Sequence, residues 1–259
     1  MTPAELVGQP AHQLLALHVS VRAFAAAAAT PGLDSPVLPG GSRVVLGAVL
    51  AAVFVGALDP SSAQASPQSL VLSLAGELCL GALLGLALVL PIHALQGAGE
   101  VVGSAMGLGF ATAVDAAVEG QETMMARLYG AIAALAFLGA DGPSVVLRAL
   151  GLSLVHAPPG QVQLGSLLDP VRILGSQFFD ILVRVAAAPV LAVLLAQLVV
   201  GLIGRASPAL NVFAIGFAIT LTAGLLAVGL SMPATLNLLT SELWRSTRWL
   251  ELLLAGSVR

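Results

Sequence analysis

The sequence predicts an all-α, helical membrane-associated protein, and three observations carry that expectation. Of its 259 residues 58% are hydrophobic and 9% charged, with a mean hydropathy of +1.00. An ordinary soluble domain is about 45–50% apolar and about 25% charged. Second, the apolar residues come in runs that approach the roughly 20 residues a membrane helix needs. Third, the breaks between runs are rich in Pro, Gly and Ser, the punctuation of loops. Thirteen acids and ten bases are too few to clothe a water-soluble globule of this size. Disorder, collagen-like repeats and a soluble enzyme are argued against. A net charge of −3 gives no field for nucleic acid, and 4% aromatics give no stacking platform for a single strand. The single cysteine, Cys79, excludes an internal disulfide and a cysteine metal cluster and reads as a small buried hydrophobe.

The first apolar run, Leu14 to Ala29, carries His18, Ser20 and Arg22. No base precedes it, so it lacks the positive start of a signal peptide and reads as a retained segment. Pro31, Pro36, Pro39, Gly40 and Gly41 make a loop, and Arg43 opens a second run, Val44 to Leu58, that is short for a span. Asp59 to Gln68 is a polar linker. Leu70 to Leu90 is long and broken only by Glu77, and Pro91 kinks or ends it. Ile92 to Phe110 stays helical in character but carries His93, Gln96 and Glu100. Gly99, Gly103 and Gly107 recur every fourth residue and share one strip of a helix, and Gly81 and Gly85 repeat the spacing. Such strips let another backbone approach closely, a packing device of membrane helices.

Asp115 to Glu122 is a polar interruption with three acids and no base. Met124 to Ala140 and Val145 to Val155 are apolar segments parted by Asp141, Gly142 and Pro143; Pro158 to Pro170 is loop. Ile181 to Ile203 is long enough to span despite Arg184 and Pro189. Arg205 to Pro208 turns, and Asn211 to Met232 returns, giving a helical hairpin. After Pro233 follows an amphipathic tail with Trp244, Arg245, Arg248 and Trp249, which suits a membrane interface and, with Arg259, a cytoplasmic C-terminus. Glu77, His93, Glu100 and Arg184 sit inside apolar runs, where polar groups face protein or a water-filled passage. The chain therefore reads as a component of something larger.

Little in it suggests catalysis. Glu77, His93 and Glu100 do not have the spacing of a zinc protease, and no second His completes a metal site. There is no serine-hydrolase elbow, and a chain without lysine has no P-loop lysine. No enzyme, metal or cofactor is expected. A small-solute transporter or channel is the rival class, since broken helices with buried carboxylates build such sites; against it, the two halves show no matching pair of broken segments.

One ordered set of motifs goes further. It runs through Arg22, Pro31, Leu38-Pro39 and Arg43, then Glu77 with Gly81 and Gly85. Gly99-Glu100-Val101-Val102-Gly103-Ser104-Ala105-Met106-Gly107 follows, then Val114-Asp115, Gly120-Gln121, Leu135-Ala136-Phe137-Leu138, Ala149-Leu150 through Ser153, and Pro158. Ala188-Pro189, Arg205, Pro208, Asn211-Val212-Phe213 and Gly216-Phe217 close it. From about Leu14 to about Leu230 this order resembles the FliR family of flagellar biosynthetic proteins, membrane subunits of the flagellar type III export apparatus. The injectisome T subunit is a close relative, and the Gly99-Glu100 and Val114-Asp115 segments look more flagellar. Departures are Ala209 where the family usually has Gln, Ala218 for Pro, Thr220 for a frequent Lys, Ala116 after Asp115, and Asp141-Gly142-Pro143 for a Gly-His pair; any role of that Lys is not carried over.

The resemblance implies stacked helical hairpins built to assemble with FliP- and FliQ-like subunits into a non-enzymatic gate, with FlhB- and FlhA-like components nearby. It implies a FliP-like region over residues 1–170 and a FliQ-like hairpin and tail over 171–259. Unfolded flagellar proteins would pass through a conduit in the bacterial inner membrane, at the flagellar basal body. A loop plugging the pore corresponds to Phe110, Ala111, Asp115, Glu119, Gly120, Gln121 and Glu122. Glu77, Gly81, Gly85, Gly99, Glu100, Gly103, Gly107, Arg184, Pro189, Arg205, Pro208, Asn211, Phe213 and Gly216 are expected to serve helix packing and assembly, the buried polar ones as hydrogen-bonding groups between subunits.

Overall fold

The computed structural model describes residues 10–29, 41–58, 70–109, 122–162, 164–206 and 212–256. Among them every regular element is helical: α1 (Pro10–Ala28), α2 (Ser42–Ala57), α3 (Leu70–Ala105), α4 (Met124–Gly139), α5 (Gly142–His156), a 3-10 turn (Leu164–Leu167), α6 (Leu168–Ala206) and α7 (Val212–Gly256). Three stretches, Leu70–Ala105, Leu164–Ala206 and Ile215–Leu243, are long and apolar enough to cross a membrane. The protein is thus an all-α membrane protein.

Two apolar runs parted by Pro91 turn out to be one helix, α3, with the proline inside it. Pro189 and Pro233 likewise lie inside α6 and α7, so the tail after Pro233 continues α7. A proline costs a helix one hydrogen bond, a loss that close neighbours in a membrane protein make good.

By compactness the chain forms two interleaved units, residues 1–90, 141–175 and 243–259 in the first, and 91–140 and 176–242 in the second. This division is one of packing; the division near Pro170 concerns likeness to two other subunits.

In the first unit α1 packs along α2, with Leu15, Val19 and Leu154 buried and Phe54, Val55 and Leu58 against them. The start of α3 carries Ser73, Glu77, Gly81 and Gly85, one turn apart and so on one face. A Cβ on Gly81 would strike the Arg22 carbonyl and Ala25, and one on Gly85 would meet Ala29 at 2.5 Å and the Ala26 carbonyl at 2.7 Å. Those glycines seat α1 on α3 within the chain.

The second unit is built around the rest of α3, where Ala94, Leu95, Ala98 and Val102 are fully buried, with Tyr129 and Ala133 of α4. The most apolar window of α3 is 67% buried, against 17% for α6 and 22% for α7. Phe179, Leu195 and Leu230 are accordingly exposed. Apolar faces on this scale belong against lipid or another protein. Cys79 corrects one expectation. It is exposed, because it lies on the outward face of α3, between Leu78 and the buried Leu80.

Candidate functional site between α3 and α4

The last four carbonyls of a helix lack intrahelical partners, and at the end of α3 all four can be accounted for. Met106 N–H donates to the Val102 carbonyl at 3.0 Å, Leu108 N–H to Gly103 at 3.0 Å and Gly107 N–H to Ser104 at 3.0 Å. The last two bonds form a Schellman cap, which needs a left-handed residue, and Gly107 supplies it with φ +82°. The fourth carbonyl, Ala105, accepts from Nε2 of Gln197 on α6 at 2.9 Å.

The start of α4 is tied to the same stretch of α3. Thr123 is its N-cap, with Oγ1 accepting from Ala126 N–H at 3.2 Å. The Thr123 hydroxyl and N–H both donate to one carboxylate oxygen of Glu100, at 2.9 and 3.0 Å. One turn back along α3, Gln96 Nε2 donates to the Glu122 carboxylate at 2.5 Å. An ionised carboxylate only accepts, so the amide nitrogen faces it. The Gln96 oxygen is then left to accept from His93 Nδ1 at 3.3 Å. Close approach of the backbones is possible because a Cβ on Gly99 would lie 2.6 Å from the Met125 carbonyl, and one on Gly103 would lie 2.5 Å from Thr123 Oγ1.

The described residues on either side of the interruption, up to 109 and from 122, are therefore tied to α3 between Gln96 and Gly107. Glu122 stands at the interruption's far end. Phe110, Ala111, Asp115, Glu119, Gly120 and Gln121 lie outside the described residues, as do Pro208 and Asn211. Phe213 falls within α7.

The other residues singled out from the sequence have separate places. Glu77, 0% exposed, pairs with Arg22, 1% exposed, at 2.5 Å. Arg22 also donates to the Ser153 carbonyl and hydroxyl at 2.9 and 3.3 Å and to the Ala157 carbonyl at 2.9 Å, and Glu77 accepts from Gly160 N–H at 2.8 Å. A turn earlier, His18 Nε2 meets the Ser73 hydroxyl at 2.9 Å. This junction ties α1, α3, α5 and the turn after α5 together in the first unit. Glu77 and Glu100, expected to reach other subunits, thus find partners within the chain; the physical reason is that the helix ends of α4 and α5 present unpaired backbone groups beside them. Arg184 is exposed and paired with Asp180 one turn away. Arg205 is exposed, while Pro189 and Gly216 are buried, Gly216 beneath the Val200 side chain. Gln96, Thr123 and Gln197 were not singled out as site residues. Their signal was a lone amide in an apolar helix and a Thr just before an apolar run. Among the described residues no group of three or more His, Cys, Asp or Glu is placed to hold a metal.

A family model described as bacterial export proteins, family 1, matches residues 14–246, including both tied ends of this interruption. The chain belongs to that family. Within the stretch that matches curated relatives, it is 33% identical over 160 residues to the flagellar biosynthetic protein FliR of Pectobacterium carotovorum subsp. carotovorum, 61% of this chain and 60% of that protein. It is 31% identical over 158 residues to the FliR of Escherichia coli strain K12, again 61% and 60% of the two. It is 23% identical over 164 residues to the secretion system apparatus protein SsaT of Salmonella typhimurium, 62% and 63% of the two. The match to these FliR proteins thus covers about 60% of their length.

Proposed function

We propose that this bacterial export family member is a subunit of the flagellar type III protein export gate in the inner membrane. It acts by structure and not by catalysis. With FliP- and FliQ-like subunits, and FlhA- and FlhB-like components beside them, it helps form the conduit for unfolded flagellar proteins. Residues 110–122 are its pore plug. The observation that carries this reading is the double tie between α3 and α4. Irregular backbone at membrane depth is tolerated only where it is buried in protein or lines a cavity. Here the described residues on either side of the polar interruption are held to the last turns of a largely buried apolar helix by Gln96, Glu100 and the Gly107 cap. The exposed faces of α6 and α7 are left for lipid and for the partner subunits.

Shortening Ala111 to Gln121 should leave copurification with the FliP- and FliQ-like chains intact and make cells leak ions, only when those partners are present. A shortened protein that assembles normally in cells whose permeability is unchanged would return the segment to an ordinary connector.

The likeness to SsaT supports a second reading, an injectisome subunit of the same architecture. Deletion of the gene separates the two: lost motility favours the flagellar gate, and lost secretion of non-flagellar proteins with motility intact favours the injectisome.

A further inference from the structure

The tip of α3 is gripped by the C-terminal hairpin in a way that the ties to α4 do not require. From α6, the Gln197 amide holds the Ala105 carbonyl at 2.9 Å. From α7, Gly224 leaves a gap that Met106 fills. A Cβ added there would stand 2.7–2.8 Å from the Met106 Cγ, Cε and Sδ. Met106 is 1% exposed, so it has no room to retreat. Gly107 lies beside the Phe217 ring. One polar contact and one knob thus hold a single turn of α3 against two helices whose apolar windows are mostly exposed.

The remaining terminal carbonyls of α3 are closed by its own backbone. Only Ala105 depends on the hairpin. Parting the hairpin from the tip would therefore free the Ala105 carbonyl and unpack Met106 without unravelling the helix end.

We propose that Gln197, Met106 and Gly224 form a latch that couples the α6–α7 hairpin to the end of α3, so that the docked hairpin keeps the export passage sealed. This rests on the gate reading above. Gln197 acts as a positioning residue, through the Ala105 carbonyl.

The test uses the full chain coexpressed with its FliP- and FliQ-like partners, with copurification as the control for assembly, ion leak from cells as the readout, and the shortened 111–121 variant for comparison. Gly224→Leu drives a side chain into the space of Met106, and Gln197→Leu keeps volume but strands the carbonyl. Loss of one hydrogen bond shifts the docked population by about fivefold, so both variants should assemble and leak. Met106→Ala added to Gly224→Leu restores the space and should restore the seal. If Gly224→Leu does not assemble, Gln197→Leu carries the test. Assembled, tight latch variants beside a leaking shortened variant overturn the latch alone. No leak from the shortened variant either overturns the gate reading, and the latch's role with it.

Discussion

Glu77→Ala gives the sharpest test of what holds the first unit together. The substitution removes two bonds at once, to Arg22 at 2.5 Å and to Gly160 N–H at 2.8 Å. It leaves a guanidinium that is 1% exposed without its counter-charge. Its remaining bonds to the Ser153 and Ala157 carbonyls orient Arg22 but do not neutralise it. Breaking a buried pair from one side costs about 3–5 kcal/mol, and a buried N–H left unpaired adds about 1–3 kcal/mol. Against a total stability of about 5–15 kcal/mol, the single variant should lose about half or more of its stability and melt at a much lower temperature. Neither partner is exposed enough for solvent to screen the loss. Arg22→Met combined with Glu77→Leu should be milder than Glu77→Ala alone. It removes both charges, and a buried pair replaced by apolar groups of similar volume is often neutral or better. The gain is partial because Gly160 N–H and the Ala157 carbonyl still lose their partners. Thermal stability of the protein purified in mild detergent, with expression level beside it, reads this directly. Losses in the two singles that simply add in the double variant would refute the coupling, and an unchanged melting temperature for Glu77→Ala would refute the burial argument altogether.

Three other outcomes are expected. Glu100→Ala strands the Thr123 N–H and hydroxyl, which costs about 1–3 kcal/mol, and should speed proteolytic cutting between residues 110 and 121; an unchanged digestion rate would mean the tie is decorative. Gly85→Leu should abolish folding through collision with Ala26 and Ala29, although Leu is the better helix former by about 0.8 kcal/mol, and normal yield of that variant counts against the α1–α3 seam. Gly201 and Gly229 have open space beside them; Gly201→Leu should therefore leave the isolated chain as stable as before and weaken copurification with partners, whereas intact recovery would mean that face meets lipid.

Much of the architecture was legible because apolar run length is a strong signal. The breaks placed at residues 31–41 and 59–68 fall between helices or outside the described residues, whereas Gly142 and Pro143 open α5 and the loop expected over Pro158 to Pro170 holds the 3-10 turn and the first residues of α6. Pro189 was read inside a spanning run and lies inside α6, but Pro91 left kink and end both open and Pro233 set the tail apart, since a local rule says that proline ends a helix and only tertiary packing can override it. The glycine strips were legible as close-approach surfaces. What faced them was not. Spacing cannot tell a neighbour 55 residues away in the same chain, as Arg22 is from Glu77, from a neighbour in another subunit. Gln197 was hidden for the same reason: its partner is a backbone carbonyl at the end of α3, and a carbonyl carries no sequence signature.

The pattern of those pairings bears on how the chain packs in a membrane. Several of the long polar side chains that the structure pairs lie beside a helix end. Arg22 takes carbonyls at the end of α5, Glu100 the first donors of α4, Gln197 the last carbonyl of α3. With 23 formal charges among 259 residues (13 acids and 10 bases), polar groups used for this purpose are not also available to grip a neighbour. The outward faces of α6 and α7 are correspondingly aliphatic, with Leu194, Leu198, Leu202 and Leu226 exposed. In a bilayer such faces gain nothing from leaving water, and association rests on shape: side chains that interlock, and glycines that let backbones come close. An assembly held this way should tolerate salt and fail with small changes of volume, which makes side-chain size, more than charge, the variable that governs whether the subunit finds its place.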